Sequence, residues 1–313
     1  MADRTPASSL RTHLDKQSAQ TRRELSREPM FKPSDFEQLL GLLDEIEQRA
    51  STAGVVDDLA TSRIASLRRT LDGVLKLQDD PDAEVLAPSE QEVYLAGLEI
   101  GQLAQLARGL MVPRTGFADQ LRRVLKPAPT DTPQQLGDLR FRLQFAGLCA
   151  TAGLKVEPDP SAGGGADAVI DLSGWHVALV AQTLANADQL DRVAAECNSR
   201  LVRAKRPGII VLEATAACWP ERRLLGVASD GVATHEIQQR ADAFLEQHAD
   251  RVGELTDETF AFGLIAVVTL PTFNVATRHV AFSTTFRLAA LCGEGDPRLG
   301  KLKDFAKRFS KLS

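Results

Sequence analysis

Residues 153–214 read GLKVEPDPSAGGGADAVIDLSGWHVALVAQTLANADQLDRVAAECNSRLVRAKRPGIIVLEA. Three segments of strand length stand out in this stretch, at 154–157, 166–171 and 176–183, and the turn Leu172-Ser173-Gly174 between the last two marks a hairpin. A helix is predicted over 188–205, where Leu190, Val193, Cys197, Leu201 and Val202 recur at helical spacing. Pro207-Gly208 then introduces Ile209-Ile210-Val211-Leu212, a continuous apolar run that suits a strand covered on both faces. Just upstream, 139–152 is helical, with Gly153 where a C-cap glycine belongs. Downstream, 236–250 reads as a helix, 262–270 as an all-apolar strand, and 279–291 alternates well enough to pair with it. The back half is therefore expected to be a mixed sheet flanked by helices.

The front half has a different rhythm. Helices are predicted from Ser34, through Ile64, Leu67, Leu71 and Val74, from Ser89 to Leu110, and over 117–125, each with one apolar stripe. Short loops between such helices describe a small antiparallel bundle. Residues 1–32 are polar, carry both signs of charge and hold few large apolar groups, so they are expected to form an arm with little order of its own. The expected organisation is thus an arm at 1–32, a helical bundle at 33–126, a proline-rich linker at 127–137, an α/β domain at 138–297 and a basic tail helix at 298–313.

Composition narrows the class. At 313 residues and 43% hydrophobic content the chain can bury a sizeable core. A formal charge of −5 gives no molecule-wide electrostatic footprint for nucleic acid, so any polyanion contact must be regional. Cys149, Cys197, Cys218 and Cys292 are far apart with no CxxC pair, which reads as reduced, structural thiols in a cytoplasmic protein rather than a zinc site. No run reaches the roughly 20 apolar residues of a membrane span.

The order helix, strand, strand hairpin, helix, strand over 139–214 resembles the core of the PD-(D/E)xK nuclease superfamily, the restriction-endonuclease-like fold. That resemblance covers about a quarter of the chain. It implies that Ala166-Asp167 stands where the family has its proline-aspartate, making Asp167 the metal-binding and catalytic acid of an active member. The family's acid-x-lysine falls on Val180-Ala181-Gln182, with valine for the acid and Gln182 for the lysine. Hard divalent ions need several oxygen ligands, and the lysine helps to activate water. One aspartate is a poor site, although Asp159, Asp171 or Glu213 could lend oxygens. No cofactor is then expected, and Mg2+ or Mn2+ enters only if a divergent nuclease survives.

Other motifs carry less. Ser161-Ala162-Gly163-Gly164-Gly165 lacks the lysine and the following helix of a phosphate loop, and reads as a strand connection. Trp175 follows the hairpin turn, either as a partly buried cover or as a stacking surface. The tail is the clearest interaction feature. Over 298–313, Arg298, Lys301, Lys303, Lys307, Arg308 and Lys311 face one acid, Asp304, and Leu299, Leu302, Phe305, Phe309 and Leu312 recur every three or four residues. Such a helix either docks on the sheet with its lysines in water, or meets a phosphate backbone, an anionic membrane surface or a partner groove.

Three functions follow as expectations. The first is a non-catalytic nuclease-like binding or regulatory protein, contacting nucleic acid or a nucleic-acid-processing partner through Lys301, Lys303, Lys307, Arg308 and Lys311. The second is a divergent metal-dependent DNA or RNA endonuclease using Asp167. The third is a protein-interaction scaffold without nucleic acid. Assembly as a homo-oligomer is compatible with each.

Overall fold

The computed structural model describes residues 33–80, 90–160, 165–220, 225–256, 260–277 and 279–309. The expected arm at 1–32, the Ser89 start and most of the glycine-rich turn lie outside them. The front of the chain forms α1 (Pro33–Thr52), α2 (Arg63–Asp79), α3 (Glu90–Leu110) and α4 (Ala118–Leu125). Ser62 caps α2 by accepting from the Ala65 N–H, satisfying a donor that a helix start leaves orphaned.

The next helix, α5 (Pro133–Thr151), corrects the expected linker at 127–137. Thr132 accepts from the Gln135 N–H at 3.2 Å, and Gln135 Oε1 accepts from the Thr132 N–H at 3.0 Å. With Pro133 at the first helical position, where its missing N–H costs nothing, this capping box begins the helix inside the proline-rich segment.

After α5 come β1 (Lys155–Glu157), β2 (Ala168–Leu172), β3 (Trp175–Thr183), α6 (Leu190–Ala204), β4 (Gly208–Glu213), a one-turn α7 (Thr215–Cys218), β5 (Leu225–Val227), α8 (Asp230–Leu255), β6 (Ala261–Asn274), β7 (His279–Ala290) and α9 (Pro297–Phe309). The strands make one mixed sheet in the order β1-β2-β3-β4-β6, with β5 also beside β6 and β7 along its other side. Pairing is antiparallel from β1 to β3, parallel for β3 with β4 and β4 with β6, and antiparallel for β6 with β7. The β2–β3 hairpin closes through Ser173 and Gly174, both at positive φ (54° and 85°), as a two-residue turn matched to strand twist requires.

The sheet is apolar on both faces because strand side chains alternate. Leu179, Ala181, Ile209 and Val211 join a core with α5 and the bundle, including Ile46, Leu103 and Phe145. Ala178, Val180, Ile210 and Leu212 join a second core with α6 and α8, including Cys197 and Ile237. The bundle and one sheet face thus share one apolar core. Glu99 of α3 ties the same junction together. Arg63 of α2 donates to it at 2.7 Å and Arg140 of α5 at 2.6 Å. Burial alone would raise its carboxyl, but the two guanidiniums outweigh burial and hold it below the ordinary carboxylate value.

Candidate functional site

Asp167 sits one residue before β2. Its N–H donates to the Leu179 carbonyl at 2.8 Å, extending the β2–β3 ladder one step past the Ala168–Leu179 pair. The side chain is therefore fixed at the point where the ladder opens. Both oxygens of its carboxylate are engaged: Oδ2 accepts the Ala181 N–H at 2.7 Å, and Oδ1 accepts Nη2 of Arg200 from α6. Arg142 Nε, from α5, lies 3.5 Å from the same Oδ1.

The two arginines are themselves anchored to backbone. Arg142 Nε donates to the Ala181 carbonyl at 3.2 Å, and Arg200 Nε donates to the Gly165 carbonyl at 3.0 Å. The Asp167 and Arg200 side chains are only 11% and 9% exposed, so this is a buried pair in which each charge needs the other. A cavity of about 250 Å³ lies beside it, lined by Gln120, Arg142, Asp159, Gly165, Asp167 and Arg200 among others.

The acids considered as metal ligands are mostly scattered. Asp159 shares the cavity with Asp167, and its Oδ2 accepts the Ala166 N–H at 2.8 Å. Asp171 instead accepts the Gly174 N–H at 2.6 Å in the hairpin turn. Glu213 ends β4 and accepts the Thr215 N–H at 3.2 Å. Gln182 does not line the cavity; by strand alternation it belongs with Ala178 and Val180 on the α6 and α8 face, where it is 8% exposed.

A divalent ion needs free carboxylate lone pairs from several residues. Both Asp167 oxygens already accept from arginine or backbone, and among the described residues no group of three or more His, Cys, Asp or Glu is placed to hold a metal. The residues present do not fit the Mg2+ or Mn2+ that a nuclease of this class would use.

No sequence motif marks Arg142 and Arg200, which define the site. One signal was there: Arg200 follows Cys197 by three residues and Val193 by seven, inside the apolar stripe of α6. A charge at such a position calls for a buried partner.

The tail helix α9 is docked. Leu302, Phe305 and Phe309 are buried, and Phe309 stacks on Phe305 at 4.5 Å and on Phe145 of α5 at 5.5 Å. The apolar stripe is thus used internally. On the outer side Lys303 and Lys307 are exposed and Arg308 is half-buried, while Lys311 lies outside the described residues. Lys301 reaches the β2–β3 turn, with Nζ 3.4 Å from the Ser173 carbonyl and 5.6 Å from the centre of the Trp175 ring. Trp175 is itself 37% exposed.

Compared with protein-family models, curated proteins and solved structures, the chain matches none. Among the described residues no helix is long and apolar enough to cross a membrane.

Proposed function

We propose that this chain is a non-catalytic binding or regulatory protein on a restriction-endonuclease-like core, with nucleic acid or a nucleic-acid-processing protein as its partner. The order α5, β1, β2, β3, α6, β4, with three antiparallel strands followed by a parallel one, supports the likeness. One observation carries the non-catalytic half: Asp167, which this reading aligns with the family's metal-binding acid, is ion-paired with Arg200 and Arg142. The binding half rests on Lys303 and Lys307, exposed on a helix whose apolar side is packed away. Nucleic acid as ligand is an analogy from fold, since fold alone does not determine function.

Asp159, in the same cavity as Asp167, favours the divergent endonuclease as second reading. Purified protein incubated with labelled single- and double-stranded DNA and RNA, in Mg2+, Mn2+ or chelator, separates the two. Salt-sensitive binding without cleavage is expected. Cleavage lost in chelator and in Asp167→Ala would establish the nuclease instead, and neither binding nor cleavage would point to a protein partner.

A further inference from the structure

The cavity beside Asp167 contains more hydrogen-bonding capacity than the protein uses. Arg200 is 7% exposed as a residue, and its Nη1 is buried without a partner among the described residues, although Nε and Nη2 are both satisfied. Burying an N–H-bearing nitrogen of a guanidinium unpaired carries a desolvation penalty, so an orphan of this kind calls for an acceptor, and because Nη1 has under 1 Å² of accessible surface a ligand reaches it only as the cavity lining shifts. Arg142, which lines the same cavity with a side chain 28% exposed, spends Nε on Ala181 and Asp167, and among the described residues neither of its Nη groups has a hydrogen-bond partner. Gln120 adds a second buried orphan, Oε1. Its amide can turn to offer either an acceptor or a donor.

We infer that this cavity binds a small oxyanion, the carboxylate or phosphate of a small molecule, through Arg142 and Arg200. Planar guanidinium forks match the paired oxygens of such groups. Asp167, which also lines the cavity, holds the two side chains in place through Nη2 of Arg200 and Nε of Arg142. The acids Asp159 and Asp167 balance the two guanidinium charges, so selection comes from unused donors rather than from excess charge, and the affinity is expected to be high micromolar to millimolar. A cavity of about 250 Å³ takes a group of metabolite size and falls below the roughly 300–1,000 Å³ usual for larger ligands. The inference deepens the non-catalytic reading and rests on it, because it needs Asp167 ion-paired rather than ligating a metal.

The test titrates the full chain with inorganic phosphate, glycerol 3-phosphate, glycerate and a 5′-phosphorylated oligonucleotide, followed by calorimetry and thermal shift. One-to-one binding of glycerol 3-phosphate or glycerate is expected, weakened about tenfold or more in Arg142→Gln. Arg142 is chosen because removing Arg200 would strand Asp167. Should Arg142→Gln fail to fold, protection of Arg142 from phenylglyoxal by the same ligands, mapped by mass spectrometry, reads the site in the unaltered chain. Absence of binding by every probe, binding that survives Arg142→Gln in a folded variant, lack of protection, or binding by the oligonucleotide alone would each overturn the inference. Chelator-sensitive cleavage in a parallel assay would instead overturn the non-catalytic reading, so the two failures are distinguishable.

Discussion

Gly109 of α3 and Gly147 of α5 meet backbone to backbone: a β-carbon on Gly109 would lie 2.1 Å from the Gly147 carbonyl oxygen. This crossing is where the bundle is pressed against the helix that carries Arg142, so its closeness bears on the site. Gly109→Ala is expected to push the helices apart and destabilise the protein by about 1–3 kcal/mol, the usual range for overpacking. Gly101 lies in the same helix with nothing within 4 Å of its would-be β-carbon. Gly101→Ala is therefore expected to stabilise, by up to about 1 kcal/mol from helix propensity. Denaturant melts of the two variants should shift in opposite directions, and parallel shifts would contradict the close approach.

The Asp167–Arg200 pair predicts strong non-additivity. Asp167→Ala leaves a buried, unpaired guanidinium and is expected to cost about 3–5 kcal/mol. Asp167→Ala combined with Arg200→Met removes both charges and should recover most of that loss. A double-mutant cycle by urea denaturation measures the coupling, and additive single-variant costs would show that the pair is not coupled. Any loss of function in Asp167→Ala has to be read against this cost.

Glu45 supplies a pH signature. The hydrogen bond from Arg108, at 2.6 Å, draws its carboxyl down to about 2, against opposition from burial and with help from Arg49. A carboxyl depressed in the folded state contributes stability that is present above its ordinary value of 4.5 and lost as pH falls through about 2. Arg108 is 48% exposed, so the contribution is screened and modest. Wild type should be more stable than Glu45→Gln above pH 4.5, and the gap should close through that acid window. A gap independent of pH would show that the pair contributes nothing electrostatic.

Much of the fold was legible where one local signal dominated. The β2–β3 hairpin announced itself because alternation, turn residues and strand length agreed. The run Ile209 to Leu212 did so because burial on both faces leaves no polar position. Elements failed to show where packing overrode propensity. Residues 230–235 hold Gly231, Val232 and Thr234, poor helix formers, yet Ser229 caps α8 there by accepting from the Val232 N–H. Three-residue β5 pairs only because β6 runs on beyond its contact with β4, to Asn274. At the site, Asp167 stood out in sequence as an acid opening a strand, but its arginine partners come from helices on opposite faces of the sheet. Contacts so distant in sequence leave no periodic trace.

The thiols make a chemical prediction. Cys149 and Cys197 are buried, and burial raises all four thiols, Cys197 and Cys218 to about 12. Thiolate is the reactive form, so alkylation of the native protein near neutral pH should be slow, with half-buried Cys292 reacting first. All four should react once the chain is denatured. Rapid native labelling of Cys149 or Cys197, followed by peptide mass spectrometry, would reveal opening of the sheet cores that these thiols occupy.

Charge reversal on the tail tests the proposed binding surface separately from the fold. Leu302, Phe305 and Phe309 anchor α9, so replacing the exposed Lys303 and Lys307 by glutamate leaves the packed side untouched and should change stability by no more than about 0.5 kcal/mol per site; Lys311, outside the described residues, is replaced with them. Lys301 is left in place because it is engaged with Ser173 and Trp175. If the lysines meet phosphates, each contact contributes about 0.9 to the slope of log affinity against log salt on duplex, or about 0.7 on a single strand. The triple variant should then bind nucleic acid more weakly, with a slope flatter by up to about 2–3. Unchanged affinity and slope in a fully folded variant would remove the tail from the binding surface, leaving the Trp175 hairpin tip or a protein partner to account for any binding.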